Sequence, residues 1–306
     1  VTAYAVTAMD PHASFERAAE ECMFWHVLPQ KYDNLIIAET TEDIRSAKSE
    51  GKSAFIISSQ GADFIEQKLY RVEAFHKLGL RILILTYNTT NHLCSGLLDR
   101  VQGGLTLFGR LVVEECNRVG MVLDLSHIGK QSCLEIIDHS SHPCIYSHSG
   151  INSMVPNPRN IDDEQIKTCI ARGGIIGLAA WGPLTMKPGT THWPTVDDFI
   201  DQIDYIADLS GNSNHIGVGT DMSLGTYPDK WNDPWGTPKL SNISAEYGRI
   251  VTDDVRSFRR SLDGFSNYAD IINMIERLVA RGYSDGDVAN ILGENYLRLF
   301  KQIWGV

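Results

Sequence analysis

The stretches MVLDLSH (residues 121–127) and PCIYSHS (residues 143–149) decide the fold. Each is an apolar run ending in a Ser-His pair, and the two histidines, His127 and His148, stand 21 residues apart. Near-continuous apolar runs of this length suit strands buried on both faces of a parallel sheet. The interval is one βα repeat, so both histidines leave successive strands at equivalent points. Parallel neighbours lie roughly 4.8 Å apart, and two imidazoles so placed can share one metal ion. A lone histidine is more often a satisfied hydrogen-bonding residue; the pairing is what raises the metal reading here.

The pattern extends in both directions. TAYAVT (2–7), SAFIISSQ (53–60), RILILTYN (81–88), IIGLAAWG (175–182) and HIGVGTDMS (215–223) read as further buried strands, and LIIAET (35–40) as a short peripheral one. Helical segments lie between them. TTEDIRSAKSEG (40–51) has a capping Thr, an acidic first turn and a closing Gly. FIEQKLYRVEAFHKLG (64–79), FGRLVVEECNRVG (108–120), DDEQIKTCIARGG (162–174), TVDDFIDQIDYIADLSG (195–211) and the tail 284–306 follow similar rules. No linker divides the chain, so 1–306 reads as a single α/β domain. An eight-stranded (β/α)8 barrel and a doubly wound open sheet both fit. Against the open sheet, no Gly-rich phosphate loop follows a strand; GVGTDMSLG is the nearest approach. Against the barrel, only seven good strands are present, a count that closes if the first strand lies upstream of Val1. The region 224–266 breaks the rhythm and reads as a loop insertion, lying on the surface or over the barrel mouth, where Trp231 and Trp235 would wall a pocket.

A hydrophobic fraction of 43% and a charged fraction of 21% are those of an ordinary globular protein. The net charge of −11 repels phosphate backbones and anionic bilayers, so neither nucleic acid nor a membrane is an expected partner. No apolar run reaches the roughly 18 residues of a membrane span, and no basic-then-apolar leader precedes the first strand. Six scattered cysteines read as free buried thiols, which suits a cytoplasmic protein. Cys144 has no base beside it in the sequence and is not read as a nucleophile.

In a barrel, strand ends converge on one mouth, here Gln60, Tyr87, Asp124, His127, His148, Trp181 and Asp221. For Asp221, general base, metal ligand and arginine partner all remain open. Asp124 suits a role in orienting a neighbour. Arg159, in NPRN, is either a helix-start surface residue or a fixed cation for a substrate carboxylate. The remaining histidines, His12, His26, His76, His92, His139, His142, His192 and His215, read as structural.

Residues 104–167, GLTLFGRLVVEECNRVGMVLDLSHIGKQSCLEIIDHSSHPCIYSHSGINSMVPNPRNIDDEQIK, resemble the membrane (renal) dipeptidase family of zinc peptidases. So do TTEDIRSAKSEGKSAFIIS (40–58), FHKLGLRILILTYNTTN (75–91) and HIGVGTDMS (215–223), and the likeness reaches the C-terminal ENYLRLF. The resemblance implies a TIM-like (β/α)8 barrel with two zinc ions at its mouth, hydrolysing dipeptides, including those with a C-terminal D-residue. His127 and His148 then correspond to the histidine ligands of one zinc. Arg159 corresponds to the residue gripping substrate or tetrahedral intermediate, and Asp221 to the one handling the proton of the leaving amine. Two positions depart from the family pattern. Gln60 stands where the family has a metal-bridging glutamate, and a neutral amide cannot hold two dications close together. Tyr87 stands where the family has a histidine that contacts the intermediate. The family's His-x-Asp ligands would fall before Val1. The expectation is therefore one zinc ion or fewer per chain. The substrate is a small molecule bearing a carboxylate, bound by Arg159, Tyr87 and Gln60, and a homodimer is a possible assembly. A hydrolase of an amide bond and a degenerate relative that binds a small acid both remain; joint retention of His127, His148, Arg159 and Asp221 favours the enzyme.

Overall fold

The computed structural model describes residues 1–222 and 261–305. Eight strands form one sheet: β1 (Ala3–Thr7), β2 (Leu35–Ile37), β3 (Ser53–Ser59), β4 (Leu80–Ile84), β5 (Val122–Asp124), β6 (Ile145–Ser149), β7 (Ile175–Ala179) and β8 (Ile216–Gly219). The order is β1-β3-β4-β5-β6-β7-β8, and every ladder is parallel. Because this order never reverses, the doubly wound alternative, whose strand order turns back at a switch point, does not apply. The fold is α/β and TIM-like, as expected. Strand β2 pairs only with β3, off the main path, which makes it the peripheral strand foreseen for 35–40. Among the described residues no ladder joins β8 to β1.

The crossovers carry α1 (Phe15–Trp25), α2 (Thr41–Glu50), α3 (Tyr70–Lys77), α4 (Leu107–Val119), α5 (Lys130–His139), α6 (Asp163–Ala171), the short α7 (Gly182–Thr185) and α8 (Val196–Ser210). After β8 come α9 (Ile271–Ala280), α10 (Asp285–Ala289) and α11 (Asn295–Trp304). Local chemistry fixes several starts. Thr40 with Asp43, Asp162 with Gln165, Thr195 with Asp198 and Ser284 with Asp287 each form a reciprocal capping box. The helix expected over 64–79 begins only at Tyr70, because Asp63–Ile65 makes a separate 3-10 turn and Glu66 takes φ 53°. The tail expected as one helix is split by residues 290–294, with a non-helical Gly293. Of the region 224–266, residues 224–260, with Trp231 and Trp235, lie outside the described residues. Its last part returns to the core: Leu262 and Phe265 are buried, and Asp263 bridges Thr195.

The last helix closes the inside of the sheet. Leu299, Phe300 and Ile303 of α11 pack with Ala54, Ile82, Val122, Ile145 and Ile175, one or more from each of β3 to β7. Buried Asn295 pins the start of α11, donating to the carbonyls of Ser213 (2.7 Å) and Ile216 (2.8 Å). The ring of Tyr296 lies so close to β8 that a Cβ added at Gly217 would stand 2.4 Å from it. Gly217→Ala should therefore cost about 1–3 kcal/mol through overpacking. A denaturant midpoint equal to that of the parent would contradict this account of how α11 seats.

Candidate functional site

The strands deliver their C-terminal ends to one side of the sheet, and polar side chains from consecutive strands meet there. β5 stops at Asp124, earlier than the run MVLDLSH suggests. His127 is thus presented from a turn, with φ 67°, and not from the strand itself. Likewise β4 stops at Ile84, leaving Tyr87 and Asn88 (φ 63°) in the following loop. His148 lies within β6.

The two imidazoles face each other, with Nε2 atoms 2.9 Å apart and ring centroids 4.9 Å apart. Each Nδ1 is committed to its own partner. His127 Nδ1 donates to Asn88 Oδ1 at 2.7 Å. The Ser147 hydroxyl donates to Asp124 Oδ2 and so is left to accept from His148 Nδ1 at 2.6 Å. Both rings thereby carry their proton on Nδ1 and turn their Nε2 lone pairs to a common point. Asp124 also accepts the backbone N–H groups of Ser126 and Ser147, both at 3.0 Å. Burial pushes its carboxyl above the usual range, and these donors offset part of that rise. Asp124 therefore acts on His148 through Ser147, in keeping with the orienting role read from the sequence.

Arg159 comes from the loop after β6 and is only 5% exposed. Its Nη2 donates to the His148 carbonyl (2.6 Å) and reaches His127 Nε2 (3.1 Å); its Nη1 donates to Ser149 Oγ (3.2 Å). Among the described residues no carboxylate pairs with it. Burial first, then the Arg159 charge, drives both imidazoles well below the ordinary histidine range, and His148 adds to the effect on His127. Both rings are neutral near pH 7. Gln60 stands opposite, its Nε2 3.5 Å from His148 Nε2. The ring of Tyr87 stacks on His127 at 4.2 Å. A cavity of about 160 Å³ opens beside His127 and Arg159, lined also by Ser149, Asn152, Lys130 and Gln165.

Gln60, Tyr87, Asp124, His127, His148 and Arg159 thus lie together at this end of the sheet. Asp221 lies at the same end of the sheet, two residues past β8, with φ 50°. It is exposed. Trp181 packs into a small apolar cluster with Ala179 and Leu184. Asn88 carries no sequence signal of its own, and Ser147, although it belongs to the second Ser-His pair, gives no sign there of its part, which is to hold the far side of an imidazole. Asn is, however, the residue other than Gly that best tolerates the left-handed conformation adopted at position 88. Among the described residues no group of three or more His, Cys, Asp or Glu side chains is arranged to hold a metal ion. The described residues thus offer zinc two nitrogen ligands, short of the three that open zinc sites use. All six cysteines are free and buried. No described helix is long and apolar enough to cross a membrane.

An α/β barrel wall with a histidine pair at its mouth defines the class of protein, and comparison with known proteins narrows it. The chain belongs to the membrane dipeptidase family (Peptidase family M19), whose profile matches residues 1–246. It is 26% identical over 281 residues to "Dipeptidase verJ" of Clonostachys rogersoniana, covering 91% of this chain and 63% of that protein. With "Dipeptidase tcpJ" of Claviceps purpurea it shares 24% identity over 295 residues, 95% of this chain and 61% of that protein. The chain therefore spans about three fifths of the length of these curated relatives. Among solved structures, an amidohydrolase from Pseudomonas aeruginosa superposes with a TM-score of 0.85 at 29% identity, covering all of this chain and 90% of the other. A metallo peptidase from Rhodobacter sphaeroides, liganded with a phosphinate mimic of the dipeptide L-Ala-D-Ala, gives 0.76 at 21% identity, with coverages of 97% and 78%. At that identity the likeness is one of fold.

The neutral histidine pair makes a testable pH dependence. Unfolded histidines bind protons near pH 6.5, whereas these folded ones stay neutral well below it. Below about pH 6.5 the unfolded chain holds more protons, so stability falls with falling pH by about 1.4 kcal/mol per pH unit for each ring. Chelator-treated protein should lose thermal midpoint between about pH 7 and pH 5.5, and the loss should shrink in a His127→Gln/His148→Gln double variant. Equal slopes in parent and variant would mean that the rings charge in place.

Proposed function

We propose that the protein is a metal-dependent hydrolase that cleaves an amide bond in a small, dipeptide-like molecule bearing a carboxylate. The observation that carries this reading is the pairing of two neutral imidazoles, lone pairs converging, with a buried guanidinium that lacks a carboxylate partner among the described residues. Leaving such a cation unpaired is costly, and an anionic ligand relieves the cost. His127 and His148 would hold one zinc ion through Nε2, their tautomers fixed by Asn88 and by Ser147 with Asp124. An ion bound there supplies Lewis-acid polarisation of a carbonyl. Arg159 would leave His127 Nε2 to grip the substrate carboxylate or the tetrahedral intermediate, and Asp221 would carry the proton to the departing amine. Tyr87 and Gln60 would line the bound substrate. Gln60, neutral and beside His148, argues for one ion or fewer in place of two.

A second reading has its own support. Arg159 already donates to His127 Nε2, and the third ligand of a zinc set is missing among the described residues. On that reading the protein is a degenerate relative that keeps the cavity and binds a small acid without peptidase chemistry.

Metal analysis of gently purified protein separates the two. A zinc content near one per chain is expected; a value near two would refute the argument from Gln60. A value near zero, unchanged by added zinc, would favour the binding protein. Gln60→Glu should raise the metal content. In assays with dipeptides and N-acyl amino acids, His148→Ala should abolish turnover. Arg159→Met should raise KM on the order of 10- to 100-fold through loss of charge-assisted hydrogen bonds. Equal rates in parent and His148→Ala would remove the metal mechanism.

A further inference from the structure

Arg159 Nη2 donates to His127 Nε2 at 3.1 Å. With the ring proton on Nδ1 and given to Asn88, Nε2 is the only acceptor that His127 has. It cannot accept from a guanidinium and ligate a metal ion at once, and the two cations would also repel each other. As described, the histidine pair therefore does not fit zinc until the guanidinium moves. The backbone of Arg159 is held, its N–H donating to Asn157 Oδ1 at 2.9 Å, so the movement is one of the side-chain end alone.

The cavity of about 160 Å³ beside it shows where that end can turn. Ile128 and Lys130, from the segment after β5, line one side, and Ser149, Asn152 and Asp162, from β6 and the segment after it, line the other. Arg159 lines the cavity too, is 5% exposed, and has only neutral acceptors: the His148 carbonyl, Ser149 Oγ and His127. The Asp162 carboxylate is already taken by Lys130 Nζ at 2.6 Å, and Glu164 reaches the same ammonium at 2.7 Å. The Arg159 charge is thus left without a counter-ion among the described residues. The ten-residue helix α5 starts beside the same cavity, between Ile128 and Lys130, and its cap residue Gly129 brings no side chain to its first N–H groups, which adds to the preference for negative charge there.

We propose that this cavity takes a small carboxylate, that the anion draws the Arg159 guanidinium off His127, and that anion and zinc therefore bind with positive coupling. This rests on the hydrolase reading and adds a regulation of its site: without an anion, the protein guards the His127 lone pair with its own cation. Each ligand raises the affinity for the other by the same factor. Arg159 is on this account a gate for the metal as well as a grip for the anion, and its removal should harm anion binding while helping zinc.

The test measures zinc affinity of the full chain by calorimetry with saturating acetate and with acetamide, its uncharged counterpart. Acetate should tighten zinc binding by the parent about 10-fold, and acetamide should leave it unchanged. Arg159→Met should bind zinc about 10-fold tighter than the parent without any anion, and acetate should then add less than about 2-fold. Lys130→Met, at a half-exposed position, leaves Asp162 uncompensated in the cavity and should cut the acetate gain of the parent to about 2-fold. In the zinc-free parent, acetate should move the 15N resonance of His127 Nε2 and leave that of Nδ1 in place. Zinc binding by the parent that ignores acetate, an equal acetate gain in parent and Arg159→Met, which would mean that acetate simply ligates the metal, or an immobile Nε2 resonance would overturn the coupling while leaving the hydrolase reading intact. No zinc binding by parent or Arg159→Met under any of these conditions would overturn the metal part of the hydrolase reading, and this inference with it.

Discussion

The buried carboxylate of Asp124 is the constraint on which the mouth of the barrel depends. The β5–β6 ladder registers at a single pair, Asp124 with Ile145, so little backbone hydrogen bonding aligns the two strands that carry the histidines. The side chain does part of that work. It takes the N–H of Ser147 across the strand gap and the N–H of Ser126 on its own strand, and it accepts the Ser147 hydroxyl. A carboxylate is costly to bury, and here three donors offset the cost while fixing the relative height of β5 and β6. The facing of the two Nε2 atoms follows from that height and from the proton kept on each Nδ1.

Much of this was legible in the sequence because burial and spacing are one-dimensional signals. Seven apolar runs at βα intervals anticipate the main path of the sheet, and Thr40, Asp162 and Thr195 mark helix starts through capping chemistry that needs only local neighbours. The pairing of His127 with His148 follows from strand adjacency alone. What stayed hidden depends on direction. The run to His127 looks like strand to its end, yet the strand stops at Asp124 and a left-handed turn aims the imidazole. Asn88 and Ser147 matter through the nitrogen they occupy, which no spacing reveals. His12 and Asp63 lie 51 residues apart, in the segments that follow β1 and β3, and meet where Gly61 lets the two segments touch. Single polar residues in loops of that kind look alike in a sequence, whether they hold a turn or face a ligand.

Arg159 links the reading of the fold to the reading of function. Its position after β6 gives it a carbonyl and a serine hydroxyl that any structural arginine would welcome. Its third contact, to the imidazole of His127, is between a cation and a ring that burial first, and then the cation's own field, keeps neutral. The same charge that discourages protonation of the pair therefore leaves the lone pairs available, and a guanidinium so placed is poised to exchange one imidazole contact for an anion.

Four non-glycine residues among the described ones adopt left-handed backbone, and three of them, Asn88, His127 and Asp221, are at the mouth. Each holds a conformation that glycine would adopt with less strain. Random mutagenesis selecting for thermal tolerance alone would then tend to relax these three positions, yielding hardier molecules with a poorer pocket. Durability and chemistry pull against each other at the backbone itself, before any side-chain contact is counted.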